Sequence, residues 1–244
     1  MRTIEFFNIV QGVADIYPVI KSSEYRPSWV SACKKDYDEK KANMDGDKFF
    51  HTYRCPGIFD LMTYGYILTC PWDVTIETNG DGEDFRWRVP SPELSNLLGD
   101  EPIQGHMSTA IAKTLPVKEG RLRSVIKFTT GWHIIAPKGV KFLIIPLPYP
   151  DTFEFESATG VLDPSISTEL NAQVYWNVTN GRHTVKAGTP LCQFIPLTDE
   201  KFKIETRNAT SEDYKWVEKR RYFLNMHFTT RRNVFKELYR KIFK

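Results

Sequence analysis

Five histidines and four cysteines are the residues with the chemistry to ligate a metal or act as a nucleophile, and their spacing decides how they read. His51, His106, His133, His183 and His227 form no H-x-H, H-x-D or H-E-x-x-H pattern, so a metal site would need assembly purely in three dimensions. His133, flanked by Trp132 and Ile134, reads as a strand residue with a satisfied ring. Cys33, Cys55, Cys70 and Cys192 are scattered, without C-x-x-C or a ligand-like spacing to histidine, as expected of reduced structural thiols in a cytosolic setting. There is no P-loop, G-x-G-x-x-G or G-x-S-x-G. The expectation is therefore no metal and no cofactor.

The elements that would position any site are mostly strands. Residues 4–10 read as a first strand. Pro27 opens a short helix through Cys33, and the almost wholly polar residues 34–47 read as its fraying end and a loop. Residues 55–65 read as a two-turn helix started by Pro56 and stopped by Gly65. A long strand is expected at 66–78, then the turn Asn79-Gly80-Asp81-Gly82 and a half-buried strand in which Phe85, Trp87 and Val89 alternate with arginines. Residues 90–120 read as loop with short turns. Beyond Val125 the pattern is continuously β, with strands at 125–128, 133–136, 141–146, 152–156, 169–178, 183–185, 190–197 and 201–206. Many short strands at close spacing give a mainly β protein, a β-sandwich or β-clip-like barrel with peripheral helices and a C-terminal helical tail. Residues 1–210 form the β-rich domain, its N-terminal half layered onto the later strands, and residues 211–244 the tail.

One block of this framework carries recognisable chemistry. Gly160-Val-Leu-Asp163-Pro164-Ser165 precedes a strand, and Gly188-Thr-Pro-Leu-Cys-Gln193 leads into another. As local structure, the two glycines supply turns and Asp163-Pro164 initiates one. Residues 157–197 also resemble the core hairpin of the dUTPase and dCTP deaminase superfamily, β-clip-type trimers that handle deoxyuridine and deoxycytidine nucleotides. That resemblance places Asp163 on the turn aspartate that faces the sugar and orients the hydrolytic water, with Mg²⁺ required for such hydrolysis. Gly188 and Gln193 fall on the later, ligand-binding turn. The sequence departs from the family at Ile166, where dUTPases carry a sugar-stacking tyrosine. It departs again at Gln173 and Val174, near the deaminases' catalytic glutamate, since neither can do general acid–base work. Pro146-Leu-Pro148-Tyr149 stands in place of the upstream phosphate-binding motif. Over the whole chain, the order from Tyr25-Arg-Pro-Ser-Trp29 through Cys55-Pro-Gly-Ile-Phe-Asp60 to Trp132-His-Ile134 is similar to uncharacterised proteins encoded by marine T4-like bacteriophages.

The charge signal sits at the end of the chain. The formal net charge is +3, and residues 211–244 hold ten Lys and Arg against four Asp and Glu. Thr210-Ser-Glu-Asp213 offers a capping-box-like start to a helix with Tyr214, Val217, Arg221 and Leu224 on one face. A second helix is expected at 230–243. Its Arg231, Arg232, Lys236, Arg240 and Lys241, interleaved with Phe235, Tyr239 and Phe243, suit a nucleic-acid or partner-binding surface: cations neutralise phosphates while rings stack on bases. The plainer reading is an aromatic face packed on the β core with its cations solvated.

Ordinary hydrophobic and aromatic content excludes a disordered chain. No run approaches the length of a membrane span, and the N-terminus lacks signal-peptide features, so a host-cytoplasmic location is expected. Three function classes stay open. The leading one is a non-catalytic, virus-encoded binding or assembly protein, with a protein partner or self-assembly such as a homotrimer. The others are a diverged deoxynucleotide hydrolase using Asp163, and a nucleic-acid-associated protein acting through the tail.

Overall fold

The computed structural model describes residues 1–43, 49–106, 119–229 and Lys241. The chain opens with β1 (Thr3–Asn8) and a single helical turn, α1 (Val13–Ile16), then a two-residue strand, β2 (Ile20–Lys21), and helix α2 (Ser28–Ala42). The turn α3 (Pro56–Phe59) leads to β3 (Tyr66–Thr69), β4 (Val74–Asn79) and β5 (Phe85–Arg88), and α4 (Leu94–Leu98) leads to β6 (Ile103–His106). The longest strand follows, β7 (Val125–Ile135), then β8 (Phe142–Ile145), β9 (Phe155–Ser157) and β10 (Gly160–Leu162). The later strands are β11 (Glu169–Trp176), β12 (Asn180–Val185), β13 (Pro190–Pro196) and β14 (Lys203–Asn208), and helix α5 (Ser211–Thr229) comes last.

These strands form three sheets. The largest runs β14-β1-β7-β11-β9, with β6 also on β7; the second runs β10-β8-β13-β3-β2; the third is β12-β4-β5. Period-2 alternation turns Ile4 and Phe6 of β1 and Leu170, Ala172, Val174 and Trp176 of β11 into the interior. Phe6 meets Tyr66 of the second sheet edge-on at 5.3 Å, and Trp176 meets His183 of the third at 5.9 Å. One apolar core therefore joins all three sheets, centred on Trp132, Trp176, Phe6, Phe128, Phe142 and Phe194. Each such side chain contributes about 1.5–3 kcal/mol by leaving water. Among the described residues no sheet closes on itself, so the architecture is sandwich-like with peripheral helices.

Several elements differ from the sequence reading. The strand expected at 66–78 breaks at Pro71, which has no N–H for a ladder, and its two halves join different sheets. The two strands expected at 125–128 and 133–136 are one, β7. Gly131, at φ +71, lets it bend where its pairing with β11 is irregular, and a Cβ there would lie 2.9 Å from Asn8 Oδ1. Helix α2 runs on to Ala42 because its polar stretch is laced by Lys34–Asp38 and Asp36–Lys40 ion pairs at 2.6 and 2.8 Å. The helix expected at 55–65 is the single turn α3 followed by a 3₁₀ turn at Leu61–Thr63. α4 and β6 occupy a stretch read as loop, and the second tail helix falls mostly outside the described residues.

Candidate functional site: a cleft between helix α5 and the Asp163 turn

Helix α5 starts where Thr210 and Asp213 cap it: the Asp213 carboxylate accepts from the Thr210 amide at 2.7 Å and from its hydroxyl at 2.6 Å. What holds the helix to the first sheet is a row of side chains across four adjacent strands. Arg207 of β14 pairs with Phe7 of β1, Phe7 with His133 of β7, and His133 with Glu169 of β11. All four point to the face that α5 covers. The Arg207 guanidinium sits 5.1 Å over the Phe7 ring, and Phe7 stacks on His133 at 5.3 Å with 12° between planes.

Both ends of the row are clamped by the helix. Arg207 donates to Asp213 at 3.0 Å and to Glu5 at 2.6 Å, while Arg221 donates to Glu169 at 2.8 Å. Hydrogen bonding from Arg207, outweighing burial, holds Asp213 down to about 2. Burial alone would raise Glu169, but Arg221, the nearby His133 and Asn171 hold it below the usual carboxylate range. Burial pushes His133 down to about 4, only partly opposed by Glu169, so the ring is neutral; its Nδ1 lies 3.2 Å from Thr168 Oγ1. A buried charge is tolerated when paired and hydrogen-bonded, and the two charged members of this row, Arg207 and Glu169, both are.

The clamp sets one wall of a cleft of about 690 Å³. Trp216 and Arg220 of α5 form that wall, and the Pro137-Lys138-Gly139 turn after β7 and the turn from Asp163 to Thr168 complete the lining. Val140, Pro164 and Trp216 make the lining largely apolar. Arg220 lies 4.9 Å over the Trp216 ring and donates to the Ser165 carbonyl at 3.1 Å, tying helix to turn. Lys138 lines the cleft and is exposed, without an ion-pair partner among the described residues.

Asp163 lies at the edge of this cleft. Its Oδ1 accepts from the Ser165 amide at 3.0 Å and hydroxyl at 2.6 Å, and its Oδ2 lies 3.2 Å from Lys141 Nζ. Burial would raise its pKa, but Ser165 and Lys141 outweigh that and keep it ionised. The carboxylate is thus engaged in shaping its own turn.

The other expected site residues lie elsewhere. Gly188 and Asp163 are at opposite ends of β13: Gly188 precedes Pro190, whereas Leu162 aligns through Phe142 with Pro196. Gly188 takes φ +84, and its amide donates to the Cys70 carbonyl at 2.7 Å. Gln193 is buried, and its amide nitrogen donates to the carbonyls of Leu61 at 2.9 Å and Tyr64 at 2.5 Å, pinning the 3₁₀ turn to β13. Arg231, Arg232, Lys236 and Arg240 lie outside the described residues, and Lys241 is helical and exposed. Cys70 and Cys192 are buried; burial pushes the Cys70 thiol up to about 12 and the Cys192 thiol up as well, so neither is a ready nucleophile.

The sequence reading sets Arg220 only among the basic residues of the tail and does not single out Trp216 or Lys138. The i,i+4 spacing of Trp216 and Arg220 was the available signal, overlooked beside the neighbouring Val217 face. Among the described residues no three His, Cys, Asp or Glu side chains form a metal set, and no helix is long and apolar enough to cross a membrane. In comparisons with known proteins, no family model matches the chain and no curated protein is similar to it.

Proposed function

We propose that the protein is a binding or assembly protein, and that the cleft beside α5 receives an acidic segment of a protein partner around an apolar anchor residue. The cleft's make-up carries this reading: a Trp216-based apolar lining in the size range of ligand sites, with Arg220 and Lys138 in it and its one carboxylate, Asp163, already neutralised by Lys141. The cations offer steering and register, and the apolar lining the larger share of affinity. Further support comes from the way Asp163, Gln193, His133 and the buried thiols are each spent on holding structure. The likeness to phage-encoded proteins fits an assembly role in a virus-infected cell.

An array of immobilised peptides tests the reading, each with one aromatic or leucine residue flanked by glutamates or, in a matched set, by lysines. The glutamate set is expected to retain the protein, and Lys138→Glu to weaken that retention about tenfold. Equal retention of the lysine set overturns the reading. An oligomer by native mass that Lys138→Glu dissociates would identify the partner as another copy of this chain. Turnover of a deoxynucleoside triphosphate with Mg²⁺, abolished by Asp163→Ala, would instead make the chain a hydrolase. Salt-sensitive DNA binding lost on removing residues 229–244 would make it a nucleic-acid protein.

A further inference from the structure

An acidic segment around an apolar residue is present in the chain itself. The loop after β8 leaves Phe153 75% exposed, with Asp151 and Glu154 on either side of it in sequence. Three bonds hold this loop in place. The Tyr149 carbonyl accepts from the Trp29 indole at 2.9 Å. The Asp151 carboxylate accepts from the Ser28 amide, at the start of α2, at 2.9 Å and from its hydroxyl at 2.7 Å. The Phe153 carbonyl accepts from the Asn177 amide nitrogen at 2.6 Å. Tyr149 also takes φ +53, a left-handed conformation rare for a bulky residue. A loop fixed in this way loses little conformational freedom when its exposed ring is buried against a partner.

Resting on the reading of the α5 cleft as a site for an acidic segment, we infer that its occupant is this loop of a second copy of the chain, with Phe153 as the apolar anchor. The two surfaces complement each other in apolar area and in charge. Ile135 lines the cleft with Trp216 and is 38% exposed, so seating Phe153 there takes apolar surface of both copies out of water. Lys138 is exposed in the cleft and Asp151 on the loop, and neither has an ion-pair partner among the described residues. Opposite charges at the rim of a contact steer the encounter and set its register. The loop cannot fill the cleft of its own chain. Thr168 lines the cleft and Asn177 holds Phe153, with the 8 residues of β11 between them, about 25 Å of extended strand. The contact joins two different patches, so every copy has one loop and one cleft to offer, and copies link into a ring or a filament.

Sedimentation velocity of the full chain, from micromolar to millimolar concentration, tests the inference with two variants. Phe153→Ser removes the anchor from the loop, and Lys138→Glu reverses the charge in the cleft; both positions are exposed, so the fold is expected to survive, with thermal melting as the check. The unaltered chain is expected to self-associate, and each variant alone to do so at least about tenfold more weakly. An equal mixture of the two variants restores association as one-to-one pairs, because the intact loop of the Lys138→Glu copy meets the intact cleft of the Phe153→Ser copy. Association undiminished in either variant, or a mixture that forms no pairs, overturns the inference. A chain that stays monomeric throughout yet retains glutamate-flanked peptides overturns the second copy as occupant and leaves the acidic-segment reading standing. A monomer that retains none of them overturns both.

Discussion

Acidification should loosen helix α5 through His133. The ring is buried and titrates at about 4 in the folded protein, against about 6.5 in an unfolded chain. Below pH 6.5 the unfolded state takes up a proton that the folded state refuses, so stability falls as pH falls. The slope approaches about 1.4 kcal/mol per pH unit and the loss reaches about 3 kcal/mol by pH 4. Glu169 and Asp213 are depressed carboxylates, and their stability is lost only as pH falls below their unfolded values near 4, so the window from 7.5 to 4.5 isolates histidine. His106, lowered by burial and by Lys127, acts with the same sign and is removed by comparison with a variant. His133→Phe keeps a ring on Phe7 and cannot titrate; leaving Thr168 without its partner costs about 1 kcal/mol at every pH. Urea unfolding of both proteins across this window is the assay. The gap between them should close or reverse by roughly 2–3 kcal/mol as pH falls. Parallel curves, or an NMR titration of His133 with a midpoint near 6.5, would refute the reasoning.

Two further outcomes follow from the same geometry. Glu169→Gln strands the Arg221 guanidinium in a mostly buried pair and should cost about 2–3 kcal/mol in urea unfolding, much of which Arg221→Gln in the same chain should restore. Gln193→Leu leaves the Leu61 and Tyr64 carbonyls without their donor and should cost about 2 kcal/mol by thermal or urea melting; a stability-neutral result would return Gln193 to a ligand-facing role.

Much of the strand framework was legible because it rests on local signals. Asn79-Gly80-Asp81-Gly82 marks the β4–β5 turn, and the Thr210–Asp213 capping box starts α5. The breaks were not legible, because they depend on partners distant in sequence. Nothing local to Tyr66–Thr69 says that β4 will leave for another sheet, where Thr75 to Thr78 pair with β5 and β12. Likewise, helical persistence in α2 depends on charges at i,i+4 where hydrophobic periodicity is absent. The candidate site was least visible of all. Its clamp places Arg207, Phe7, His133 and Glu169 side by side only once four strands are in register, and only then do Trp216 and Arg220 face the Asp163 turn.

Amide hydrogen exchange, measured with and without the tightest-binding glutamate-flanked peptide, tests the central claim most directly. The expected footprint is slower exchange confined to residues 135–141, 163–168 and 213–221, the three segments that surround the cleft. Protection confined to the β12-β4-β5 sheet, or no protection by a peptide that does bind, would contradict the account.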